Sequence, residues 1–143
     1  MMRRPRAIAV AAGLALASHP LSMQAAETGE QPVTLSIANE DAEPLRCMFF
    51  FAHFVVTDVG TIVPGASLSI TMFRQQSDGA LWMPRNDGRR MMIETIDCGA
   101  VSRWAETRGQ ISLLPARAGR DLRYSARCHL DGKVVCDGPM PLP

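Results

Sequence analysis

The stretch LRYSARCHLDGKVVC, residues 122–136, decides the reading of the fold. Leu122, Tyr124, Ala126, Cys128 and Leu130 alternate with Arg123, Ser125, Arg127 and His129. A period of two is that of a strand with one apolar face. Asp131-Gly132-Lys133 interrupts it and Val134 to Cys136 resumes it, the pattern of a hairpin with a short turn. A three-residue Asp-Gly-Lys loop sets Cys128 opposite Cys136 on one face, at a separation a disulfide can bridge. Cys47 and Cys98 then form the second, longer bridge. Four cysteines allow three connectivities, and a one-residue change of turn register removes this one. No C-x-x-C is present, and Cys128 and His129 are neighbours that point to opposite faces of a strand. Redox-catalytic and zinc-binding roles for the cysteines are therefore not expected.

The same punctuation recurs outward from this hairpin. Val33, Leu35 and Ile37 alternate with polar or small residues up to Asn39-Glu40-Asp41. Leu45 to Thr57 reads as one strand, apolar on both faces over Met48-Phe49-Phe50-Phe51-Ala52 and broken at Asp58-Val59-Gly60. Pro64-Gly65 is a turn, followed by Leu68, Ile70 and Met72 in alternation. Two Gly-containing turns bracket Ala80 to Arg85. Met91 to Cys98 is a further strand, anchored by Ile93 and Ile96. A helical turn is expected around Ser102 to Glu106, and a short strand from Ile111 to Leu114, closed by Pro115. The Pro-rich tail from Gly138 is expected to be extended and outside any ladder. Seven or eight short strands without a long helical period predict an all-β domain. The expected form is a single antiparallel β-sandwich, immunoglobulin-like in the loose sense and stapled by disulfides.

The N-terminus carries a different message. Arg3-Arg4-Pro5-Arg6, the apolar run Ala7 to Ala17, and small Ala25-Ala26 before Glu27 follow the order of a secretory signal. Residues 1–26 are read as a cleaved signal peptide and 27–143 as one β-sandwich domain. The apolar run is too short to span a bilayer, so no transmembrane segment is expected in the mature protein. Export agrees with an even number of cysteines. One Lys against eleven Arg after residue 26 suggests a GC-rich bacterial source and a periplasmic or secreted location. That mature part holds twelve basic and fourteen acidic residues. So balanced a chain is a poor nucleic-acid binder, which needs a concentrated basic face.

Chemistry-bearing residues are sparse. No P-loop, no G-x-S-x-G and no paired-carboxylate pattern is present, so neither an enzyme nor a cofactor is expected. On strict alternation His53 shares a face with Cys47, Phe49 and Phe51, which predicts a partly buried core histidine. Met48, Met72 and one of Met91 and Met92 read as core filler. The alternative gives His53, Met91 and Met92 to a soft metal such as copper(I), which thioethers and imidazole suit. Arg85, Arg89 and Arg90 surround Asn86-Asp87-Gly88 and form the densest polar feature, a solvated hairpin tip able to meet an acidic partner. The expectation is a non-enzymatic binding or accessory module that presents loops or an edge strand to an unidentified envelope protein. A periplasmic copper(I) carrier is the alternative.

Overall fold

A computed structural model describes residues 29–143; the expected signal at 1–26 lies outside them. The described chain is mostly β. Its strands are β1 (Glu30–Asn39), β2 (Leu45–Phe51), β3 (Val55–Ile62), β4 (Ser67–Gln75), β5 (Leu81–Pro84), β6 (Arg90–Ala100), β7 (Gly109–Ile111), β8 (Arg123–Asp131) and β9 (Lys133–Pro141). Two short helices, α1 (Trp104–Thr107) and α2 (Leu114–Ala118), flank β7.

The strands form one sheet that does not close, in the order β3-β2-β6-β5-β4-β1-β8-β9, with β7 on the far part of β6. All pairs are antiparallel except β1 with β8. The expectation of seven or eight strands in a purely antiparallel arrangement is corrected on both points. Nothing in a single strand's pattern reports the direction of a distant neighbour, and β1 meets β8 across some ninety residues of chain. Long β6 links the two halves of the sheet order. Its first part pairs with β5 and its second with β7, while β2 runs along its other side.

One hydrophobic core draws on strands from both ends of the sheet order. Val33, Leu35 and Ile37 of β1, Ile70 and Met72 of β4, and Tyr124, Ala126 and Cys128 of β8 are buried, as their alternation predicts. Leu122 and Leu68 depart from that expectation: Leu122 is exposed and Leu68 half-buried. Ile93 and Ile96 are both buried although they are three apart. The reason is a bulge, in which Phe50 pairs with Thr95 but Phe51 pairs with Ile93, so Glu94 is skipped and the inward face is re-phased.

Both disulfides have the expected partners. Cys47 joins Cys98 across β2 and β6, and Cys128 joins Cys136 across the β8–β9 hairpin, each with a Cα separation of 4.1 Å. Asp131 pairs with Lys133 around Gly132, the three-residue loop read from the sequence.

Three local expectations fail. The segment expected to be one strand from Leu45 to Thr57 ends at Phe51 in a 3-10 turn, Ala52–Phe54, and Asp58-Val59-Gly60 lies inside β3. A bulge at Cys47/Met48 and the open backbone of Gly60, at φ 144°, carry the strand through that triplet. Pro115 does not close a strand: it sits in the first turn of α2, where its missing N–H costs nothing. The Pro-rich tail does join the ladder, with Met140 and Pro141 opposite Ser125 and Tyr124. β9 is an outer strand, and there a proline nitrogen can face away from the ladder.

The β1–β2 connection is fixed by side chains. Asn39 is buried and donates to the carbonyls of Glu43 and Ile62, each at 2.8 Å. The Asp41 carboxylate accepts the Leu130 N–H at 2.8 Å and the Glu43 N–H at 3.1 Å, tying this loop to β8. The Leu130 bond first, then the Glu43 bond, hold the Asp41 pKa below its ordinary 3.8. A depressed folded pKa contributes stability that is present above the unfolded value and lost as pH falls through the folded one. Asp41→Asn is therefore expected to be less stable than the parent near neutral pH, with the gap closing as pH falls below 3.8. Urea unfolding across that range checks it, and a gap independent of pH contradicts it.

Candidate functional site

One end of the sheet order is β3, which has β2 on one side and no ladder on the other. Val55, Val56, Thr57 and Asp58 are all exposed, although a strand with one buried face hides alternate residues. The turn that leads into β3 is unusual. His53 and Phe54 have φ of 65° and 61°, the left-handed region that is costly for residues with a Cβ, by roughly 1–2 kcal/mol each. The result is a phenylalanine ring fully exposed to solvent.

Beside β3 lies an apolar cavity of about 540 Å3. Phe49 and Phe51 of β2, Val55 of β3, Ile70 of β4, Met83 and Met91 supply its apolar lining, and Asp58 and Arg85 are its charged residues. The Phe49 and Phe51 rings meet in a tilted arrangement, with centroids 5.3 Å apart. The cavity lies where β3 and the β5–β6 hairpin contribute side chains without pairing with each other. Arg85 stands at its rim. An adjoining cavity of about 280 Å3 continues past the hairpin, bordered by His53, Arg85, Arg89, Arg90, Met91 and Met92.

Thus the two residue sets singled out in the sequence, the arginines of the 85–90 turn and the His53/Met91/Met92 group, meet in one place. Their environments differ from expectation. His53 is exposed and not a core residue, because the strand that would have turned it inward ends at Phe51. Met72 is buried, Met91 is half-buried against the core, and Met48 and Met92 are half-buried. Among the described residues no group of three His, Cys, Asp or Glu converges as metal ligands would. Arg85 and Arg89 share Asp87, at 3.5 and 3.9 Å. Arg90 pairs with Glu30 and lies 4.8 Å from the Trp82 ring centroid. Three guanidinium groups thus face two carboxylates, Asp87 and Glu30, which leaves one positive charge in excess beside the smaller cavity.

Sequence reasoning missed Phe54 and the exposed flank of β3. The only available signal was that both faces of the segment after Phe51 stay apolar with no glycine to mark a turn. No protein-family model, curated protein or solved structure matches this chain. Two disulfides agree with an oxidising compartment. No helix among the described residues is long and apolar enough to cross a membrane.

Proposed function

We propose that this chain is an exported, non-enzymatic binding module. Its disulfide-stapled scaffold, sandwich-like and immunoglobulin-like in the loose sense, displays the β3 edge to a periplasmic partner protein. The observation that carries the reading is the free outer edge of β3, with exposed Phe54, Val55 and Val56, beside a mainly apolar cavity of about 540 Å3. An open, apolar edge invites strand addition, and natural proteins usually blunt such edges. The occupant we assign is an extended segment of another chain. Its backbone pairs with β3, alternate apolar side chains enter the cavity, and an acidic residue meets Arg85 and Arg89. Arg85 and Arg89 have only Asp87 between them, and Asp58 on the cavity wall is already paired with Arg46, which supports the acidic element.

Selection of random decapeptides on the mature protein tests this. Peptides with alternating apolar residues and an acidic position are expected to be enriched and to lose binding at least about ten-fold to Val55→Lys, which puts a charge on the edge and in the cavity. Enrichment of no such pattern, or equal binding by Val55→Lys, overturns the proposal. Pairing of β3 with a second copy of the chain would appear instead as a concentration-dependent dimer that Val55→Lys dissociates.

The copper(I) reading draws support from His53, Met91 and Met92 bordering one cavity. The three guanidinium groups around them oppose it, because a cation would sit in a positive field. Stoichiometric copper(I) binding against a competing chelator, lost in His53→Ala, would replace the peptide reading.

A further inference from the structure

Three polar residues are buried in the described chain: Asn39, Thr107 and Arg74. The first two are consumed locally. Asn39 bonds to the backbone of its own connection and to Ile62, and Thr107 accepts the Ala100 N–H and donates to the Arg103 carbonyl. Arg74 is different. It continues the inward series Ile70, Met72, Arg74 of β4 and is only 4% exposed. Its guanidinium donates to the Ala116 carbonyl and to Oε1 of Gln31, each at 2.9 Å. Both acceptors are neutral, and a guanidinium has five N–H donors. Among the described residues no carboxylate pairs with Arg74, Arg117 or Arg120. A buried charge without a counter-charge is costly, and natural interiors rarely keep one without a use.

Arg74 borders a cavity of about 350 Å3 at the end of the molecule formed by the β4–β5 turn and the stretch after α2. Arg117 and Arg120 border the same cavity, as do the amide side chains of Gln31, Gln75 and Gln76. No acidic residue does. Two further donors nearby are unspent. Arg117 reaches the carbonyls of Ile93 and Glu94 through one terminal nitrogen, but its Nε is buried without a partner. The buried Tyr124 hydroxyl also lacks a partner and lies against Gly119 on the cavity wall. Three guanidinium groups, side-chain amides and no carboxylate form the donor set that recognises a multiply charged oxyanion. The volume exceeds that of a bare ion and lies in the range of small-molecule sites.

We propose that this cavity is a second binding site, distinct from the β3 edge, for a small molecule with a doubly charged oxyanion head, phosphoryl or dicarboxylate. Arg74 supplies the desolvated charge at the base, the anchored Arg117 adds positive charge at the wall, and exposed Arg120 closes over the anion from the outer side.

Calorimetric titration of the mature protein at constant ionic strength tests it, with inorganic phosphate in one arm and succinate in the other. Saturable one-site binding is expected in at least one arm, and the arm that binds identifies the head group. Arg120→Ala, which removes an exposed side chain and should leave the fold intact, is expected to weaken that binding by about ten-fold, the loss of one charge-assisted contact. Arg74→Met is expected to abolish it where circular dichroism shows the fold retained. Absence of saturable binding in both arms overturns the proposal, as does binding that Arg120→Ala leaves unchanged.

Discussion

Replacing Cys47 and Cys98 together by alanine is expected to lower stability by about 4 kcal/mol, against about 2.5 kcal/mol for the Cys128/Cys136 pair. The difference follows from loop length. The first bridge spans a sequence separation of 51 and the second one of 8, and the longer cross-link removes more freedom from the unfolded chain. Packing acts in the same direction. Cys47 and Cys98 are both fully buried on the paired strands β2 and β6, whereas Cys136 is only half-buried in a hairpin already closed by a tight turn. Urea unfolding of the two double variants, compared at equal m-values, checks the order. A larger loss for the hairpin pair would contradict it.

The second large effect is expected at Gly109→Ala. Gly109 pairs with Cys98 in the β6–β7 ladder and faces β9 on its other side. A Cβ there would lie 1.8 Å from the Val134 carbonyl oxygen, which is backbone and cannot rotate away. β7 and β9 have to separate, and the buried Val134 beside them loses its packing. The expected cost is about 3 kcal/mol, at the upper end of overpacking effects. Thermal unfolding measures it, and a variant with the parent's midpoint would contradict so close an approach.

Much of this architecture was legible in the residues. Period-two alternation located β1, β4 and β8 with their buried faces, and Asp131-Gly132-Lys133 placed Cys128 opposite Cys136. What could not be read depended on contacts between distant segments. The parallel β1–β8 ladder and the entry of Pro141 into β9 are set by neighbours, not by local preference. The turn at His53 and Phe54 was hidden because it uses left-handed backbone without glycine. The candidate site was half legible. Arg85, Arg89, Arg90, His53, Met91 and Met92 were each noticed, but only the tertiary fold places them around one cavity. Arg74 was readable in principle. It extends the inward positions Ile70 and Met72, and an arginine at such a position is the signal of a buried charge.

The account rests most heavily on β3 as the binding edge. Amide resonances of the nitrogen-labelled mature protein, followed while a selected peptide is added, test it most directly. The account predicts shifts and slowed amide exchange at Val55 to Val59, with smaller shifts at Arg85 and Met91. Perturbations confined to β9 or to the Arg120 corner, with the β3 amides unchanged, would contradict it.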